Sequence, residues 1–457
     1  MRAARLFREP HVALGAGAAL VIASEYGREQ IRPVPWSLVE VAVAGLVLAY
    51  VWGRRERLRL GPLLLVAVVL EVGWIAIRIH ETLGPDFEWR DIYASQGQLL
   101  LDGDYPRSEY PTGAVSLFAV EALLGGADTH VVHALLMVPF ELAAVAAIWS
   151  LRTRWSPWFA AVVAFWPLNA WFWEFRFDLV PAALLAVGLA LSYRSQWLPA
   201  GAAIGLGAAV KWSPAVALPA LAAYLLVSHR PREALRLALG FIAAVALVSL
   251  PYLVWSPSEV LAAYSRQGGR SITDESLWHL PLRVLGLENR HGYAYPGFVS
   301  VGPPGWADDL AIVVQVAVLV ALTAAAARAR ALRGAIALAA LMPVAFLMSN
   351  RVFSVQYFVV LLVAWALAAA LVVKTKRAAL LVTGAALAAT VANALIIPYP
   401  IHRPHVWELA STVRFSLGIA LTVWLAIQAV RLGREEAAPA ERESVHSAIR
   451  TARGSGS

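Results

Sequence analysis

The sequence predicts an all-α polytopic membrane protein, and three observations carry that reading. Of 457 residues, 60% are hydrophobic and only 15% are charged. Apolar runs recur along nearly the whole chain, close to the roughly 20 residues that a helix needs to cross a hydrocarbon core of about 30 Å. Short clusters of Arg and Lys punctuate alternate junctions between the runs, the pattern of loops kept on the cytoplasmic side. The runs are far too long for the alternating ten-residue strands of a barrel, so the spans are helices.

Taken in order, candidate spans fall at residues 11–25, 36–53, 61–79, 131–150, 157–173, 179–193, 198–210, 213–228, 235–255, 309–327, 334–349, 354–373, 378–397 and 409–430. The count is about 12 to 14 on the criterion of apolar length. Basic clusters at Arg2, Arg5 and Arg8, at Arg54 to Arg59, at Arg152 and Arg154, at Arg230 to Arg236, at Arg328 to Arg333 and at Lys374 to Arg377 then face the cytoplasm. Alternation holds only if residues 114–125 do not cross, and a dozen helical residues reach only about 18 Å. That segment is read as a helix in the outer interface. Residues 80–130 and 256–308 become the large external loops.

The first run also resembles a cleavable signal peptide, but the basic clusters that follow fit a retained start. The domain reading is two extra N-terminal transmembrane helices in 1–55, a membrane-embedded catalytic unit in 56–432, and a polar tail in 433–457 read as disordered and cytoplasmic.

Composition excludes several function classes. There is no cysteine, hence no disulfide, thiolate metal site or cysteine nucleophile. The net charge of +8 sits in short loops, where it sets orientation and does not point to nucleic acid. No phosphate-cradling glycine loop or nucleotide-binding soluble unit is visible, so an activated substrate has to arrive through the lipid.

Chemistry concentrates outside. The loop at 80–112 carries Glu81, Asp86, Glu88, Asp91, Asp102, Asp104 and Glu109 against only Arg90 and Arg107. Asp91 stands at the start of a segment with Ile92, Leu99, Leu100 and Leu101 at roughly helical spacing, the pattern of an amphipathic helix on the membrane. A carboxylate facing a cavity there can accept a proton from a sugar hydroxyl. Asp102-Gly103-Asp104 has the form of a metal-binding Asp-x-Asp pair but reads first as a turn. His130 and His133 lack a supporting carboxylate pattern, and no metal is expected. Cations occur where an apolar setting makes them costly: Arg176, Lys211, Arg270 and Arg351. A lipid phosphate is their natural counter-ion. Competing readings pair Arg176 with Glu174 or Asp178 and let Lys211 snorkel to the interface. Pro214 breaks the helix beside Lys211 and frees backbone groups around it. Glu40, Glu71, Glu141, Asn169 and Asn393 are read as interhelical hydrogen-bonding groups. Trp149, Trp155, Trp158, Trp166, Trp171 and Trp173 are read as interface anchors.

Several motifs together carry a resemblance: Asp91-Ile92-Tyr93, Leu99 to Pro106, Glu109-Tyr110-Pro111-Thr112-Gly113, Arg176 to Pro181, Gly205 to Lys211, Gly269-Arg270 with Glu275-Ser276, and Phe353 to Tyr357. In this order they resemble the GT-C superfamily of glycosyltransferases. Within it they are most similar to glycosyltransferase family 87, the polyprenol-phosphate-mannose-dependent mannosyltransferases of actinobacteria. Thr112 stands where that family usually has a second proline, and two spans precede the first helix of the pattern. The resemblance implies a GT-C-like bundle with interfacial helices in the first large external loop. It also implies inverting, metal-independent transfer from a polyprenyl-phosphate sugar, with no other cofactor, to a lipid or glycan acceptor on the outer face of the cell membrane, by a monomer. Asp91 would be the base, and Lys211, Arg270 and Arg176 would hold the donor phosphate. Glu109, Tyr110, Asp178, Gln356 and Arg351 would contact substrate. Lys211 and Arg270 are expected to converge on one phosphate, with Asp91 across the cavity. Arabinose or glucose in place of mannose, and a lipid or sugar transporter without catalysis, are the competing readings.

Overall fold

A computed structural model of the chain describes residues 9–28, 36–80, 92–126, 129–165, 176–287, 301–396 and 404–454. The protein is an all-α polytopic membrane protein: among the described residues there are 18 α-helices and no β-strand. Seven helices are long and apolar enough to cross a membrane, and shorter apolar helices of 10–17 residues accompany them.

Helices α1 (Pro10–Arg28) and α2 (Trp36–Trp52) form a hairpin, and α1 packs on α3 (Leu60–His80). Close approach depends on glycine here. A Cβ on Gly17 would run into Val47 and Phe165, and one on Gly73 into Ile22. Leu14, Ala18, Val21, Ala44 and Leu48 of this hairpin belong to the main apolar core, so the first two helices are built into the bundle.

Next come α4 (Ser95–Leu101), α5 (Thr112–Gly125), α6 (Thr129–Trp149) and α7 (Ser156–Ala164). The inward face of the α4 segment carries Tyr93, Gln96 and Gly97, while Leu99 and Leu101 are exposed. Gly97 sets that orientation, because a Cβ there would lie 2.2 Å from the Phe118 carbonyl oxygen on α5. The tryptophan reading needs correction. Trp155 and Trp158 are buried in the core, Trp155 stacks on Trp52 with ring centroids 5.5 Å apart, and Trp158 donates to Thr383 Oγ1 at 2.9 Å. Trp158 finds its hydrogen-bond partner within the core, as buried indoles usually do, while Trp155 is held by ring stacking, its Nε1 making no hydrogen bond among the described residues. Trp166, Trp171, Trp173, Asn169 and Glu174 lie outside the described residues, as do Glu81, Asp86, Glu88, Arg90 and Asp91.

Helices α8 (Leu179–Tyr193), α9 (Trp197–Val210), α10 (Ala217–Val227) and α11 (Pro231–Trp255) follow. The tightest pair is α9 with α11. A Cβ on Gly201 would stand 1.9 Å from the Leu237 carbonyl oxygen, and one on Gly240 2.0 Å from that of Leu198. With no hydrophobic drive between helices in lipid, such small-residue contacts supply the packing energy.

The rest comprises α12 (Pro257–Gly268), α13 (His279–Val284), α14 (Gly305–Ala327), α15 (Leu332–Ser349), α16 (Phe358–Val372), α17 (Lys376–Ala394) and α18 (Pro404–Gly454). Helix α16 is buried along nearly its whole length and forms the axis of the bundle, whereas α14 is almost entirely peripheral. Helix α18 continues through the segment read as a disordered tail, whose Ala, Glu and Arg favour helix.

Candidate active site

The site begins where α9 stops. Pro214 has no N–H to give and clashes with the preceding turn. The chain therefore leaves the helix after Val210, passes Lys211 in an extended conformation, and restarts through a 3₁₀ turn at Ser213–Val216 into α10. The break turns Lys211 inward. Its Nζ donates to Asp178 Oδ1 at 2.6 Å and lies 4.5 Å from the centre of the Tyr357 ring and 5.1 Å from that of Phe177. Lys211 thus does not snorkel to the interface, because a buried carboxylate at the head of α8 holds it.

A second wall is the loop before α5. Ser108 Oγ donates to Gln96 Oε1 at 2.7 Å and accepts from the Tyr110 N–H at 2.9 Å. Tyr110 packs with Tyr93, Phe118 and Phe177 in a separate aromatic cluster. Gly113 locks the loop against α9, since a Cβ there would lie 2.6 Å from the Ala209 carbonyl oxygen. From α12, Gln267 donates to the Glu109 carbonyl oxygen at 3.0 Å. Just beyond it, Arg270 Nη2 meets Glu109 Oε2 at 2.6 Å. Near this loop Tyr105 is half-buried; desolvation first, then Tyr264, Tyr252 and Glu259, push its phenol above the ordinary range.

The third wall joins segments far apart in sequence. The Thr273 N–H donates to the Arg351 carbonyl oxygen at 2.9 Å, and the Val355 N–H to Glu275 Oε2 at 3.0 Å. Arg351 donates to the Gly268 carbonyl oxygen, and Gln356 accepts from Ser354.

Between these walls lies a cavity of about 300 Å³. Its polar lining includes Glu109, Lys211, Arg270, Asn350, Arg351 and Gln356; its apolar lining includes Ala311, Ile312, Phe346 and Leu347 from α14 and α15. Among the described lining residues and their direct ion-pair partners, three cations (Lys211, Arg270, Arg351) face two carboxylates (Glu109, Asp178). These charges stand beside an apolar wall.

Of the residues singled out from sequence, Glu109, Tyr110, Lys211, Arg270, Arg351 and Gln356 line this one cavity, with Asp178 joined to it through Lys211. Arg176 is not among the lining residues; of its two expected partners, Asp178 pairs with Lys211 and Glu174 lies outside the described residues. Asp91 lies outside the described residues, so its place across the cavity does too. Asp102-Gly103-Asp104 is an exposed turn closing α4, with Gly103 at φ 92° and Asp102 accepting from Gln98. His133 bonds Glu121 at 2.8 Å, both buried. Sequence reading missed Gln267 and Gln315 in the lining. Gln315 could have been found as a lone polar residue in an apolar span.

A helical membrane protein with a charged cavity against an apolar wall is thus defined by fold and site. A model of the family described as glycosyltransferase family 87 matches residues 109–350, just over half of the chain, and the chain belongs to that family. It is therefore a membrane glycosyltransferase. The chain matches no curated protein and no solved structure. The match opens at Glu109 and closes at Asn350, so Asp91, Arg351, Gln356 and Tyr357 fall outside it.

Proposed function

We propose that this glycosyltransferase moves a sugar, mannose in the first instance, from a polyprenyl-phosphate donor to a lipid or glycan acceptor on the outer face of the cell membrane. The observation that carries the reading is the joint presence of Lys211, Arg270 and an apolar wall in one cavity. A sugar phosphodiester bears one negative charge, which suits a lining that carries Lys211, Arg270 and Arg351, and its isoprenoid chain suits the wall of α14 and α15.

In this mechanism the acceptor hydroxyl attacks the anomeric carbon from the face opposite the phosphate. The bond from that carbon to the phosphate oxygen breaks, its electron pair stays on the phosphate, and the configuration inverts. Lys211 and Arg270 offset the charge building on the departing phosphate, an electrostatic contribution of several kcal/mol in such sites. Asp91, two residues before Tyr93 in the chain, takes the hydroxyl proton. No metal or further cofactor enters the scheme. Transport without catalysis is the competing reading, and membership of a glycosyltransferase family weighs against it.

Purified protein in lipid nanodiscs, incubated with labelled polyprenyl-phosphate mannose, glucose and arabinose in turn and with crude membrane lipids as acceptor, tests the reading. Label should appear in a glycosylated product with one donor. Movement of label across the bilayer without a product would sink it.

A further inference from the structure

Arg414 lies on α18, well past the end of the family match, between Val413 and Phe415, and it is fully buried. A guanidinium stays charged in a protein and is costly to bury, so its contacts have to compensate. Its direct contacts are polar neutral groups and rings, and the Glu275 and Asp274 carboxylates add electrostatic support. Nη1 donates to Asn393 Oδ1 at 2.9 Å, Nη2 donates to the Glu275 carbonyl oxygen, and the guanidinium lies 4.9 Å and 4.5 Å from the Phe353 and Phe415 ring centres.

Two of those partners converge on one peptide unit each side of Val355. Asn393 Nδ2 donates to the Val355 carbonyl oxygen at 2.8 Å, and Glu275 Oε2 accepts from the Val355 N–H at 3.0 Å. The next two residues, Gln356 and Tyr357, line the cavity, and the Tyr357 ring sits under the Lys211 ammonium. On the other side the segment of Glu275 runs back through Thr273, which is bonded to Arg351, to Arg270.

We infer that Arg414 is a positioning residue. From behind the cavity it fixes the spacing between the wall carrying Arg270 and the wall carrying Arg351, Gln356 and Tyr357. It reaches the cavity indirectly, through Glu275, Asn393 and Val355 and through the Phe353 ring, which packs on Tyr357. The activity part of this inference rests on the proposed donor chemistry; the structural part does not.

The full-length protein in phospholipid nanodiscs is compared with Arg414→Met and Arg414→Lys by amide hydrogen exchange and by transfer kinetics. In Arg414→Met, exchange across 272–276 and 351–357 should quicken about tenfold or more while α15 and α16 keep their protection, as expected for opening of one local unit. KM for the lipid-linked sugar should rise about tenfold with kcat held within about threefold, the signature of lost positioning of a binding group. Arg414→Lys, which keeps the charge but cannot donate in the same planar fork, should fall between. Unchanged exchange at 272–276 and 351–357 would overturn the clamp. Quickened exchange there with unaltered KM would overturn its link to the site, and quickened exchange throughout the bundle would reduce Arg414 to a general stabiliser. If Arg414→Met does not fold, Arg414→Lys decides by the same two readings. If the wild type uses no polyprenyl-phosphate donor, the donor proposal falls and the exchange measurement still judges the clamp.

Discussion

Lys211 and Asp178 form a buried ion pair with Nζ 2.6 Å from Oδ1, the carboxylate 1% exposed and the ammonium 16%. The second carboxylate oxygen, Oδ2, has no hydrogen-bond partner among the described residues, so among these the lysine carries most of the compensation for that charge. Removing the lysine therefore alters folding and binding together.

Lys211→Ala should cost about 3 to 5 kcal/mol of stability, because it strands a buried charge. Lys211→Met combined with Asp178→Asn should recover most of that loss in a thermal unfolding measurement. Use of the donor should stay about 10- to 100-fold weaker in both, the scale of one charge-assisted contact. Recovery of donor use in the double variant would reduce Lys211 to a structural role.

Asp91→Asn should abolish transfer with expression and unfolding temperature unchanged, since a general base contributes at least about 100-fold. Glu109→Gln, which loses the charge paired with Arg270, should keep more than a tenth of the rate. The reverse ranking in a steady-state assay would move the base to Glu109.

Gly113→Val should separate the loop of Glu109 from α9. The added Cβ meets backbone at Ala209, which has no flexible end to move aside. A loss of about 1 to 3 kcal/mol is expected from forced overpacking, together with weaker donor use. Gly384→Ala, where a Cβ meets nothing within 4 Å, is the control.

Orientation is testable because the chain has no cysteine. Single cysteines replacing Asp104 and Arg290 should react with a membrane-impermeant reagent in intact cells, and those replacing Arg55 and Lys376 only after permeabilisation. The opposite pattern would put the cavity on the cytoplasmic side.

Much of the bundle was legible because hydrophobic length and charge alternation are local signals. Residues 179–193 were delimited correctly by apolar length alone, and Pro214 announced the break beside Lys211. The charged members of the site were also visible one by one, placed where a membrane protein seldom tolerates charge, whereas Gln267 and Gln315 were not. Nor were the partners of those charges. Sequence spacing offers Arg176 either Glu174 or Asp178, yet Asp178 pairs with Lys211 across 33 positions, while Glu174 lies outside the described residues. Trp155 and Trp158 looked interfacial because periodicity does not say whether a span faces lipid or another helix. Arg414 was readable as a charge within an apolar run, but the segments it ties together are set by long-range packing that no window detects.

The two ion pairs of the cavity, Lys211 with Asp178 and Arg270 with Glu109, also act as internal competitors. An incoming anion gains only the difference between its own contacts and the carboxylates it displaces or joins. Free phosphate, sulfate or chloride, abundant in any aqueous phase, have little to add to that difference. A molecule that also fills the apolar wall and brings a sugar adds a great deal. On the proposed donor chemistry, the pairing would set a threshold for occupancy that favours such a molecule over common salts.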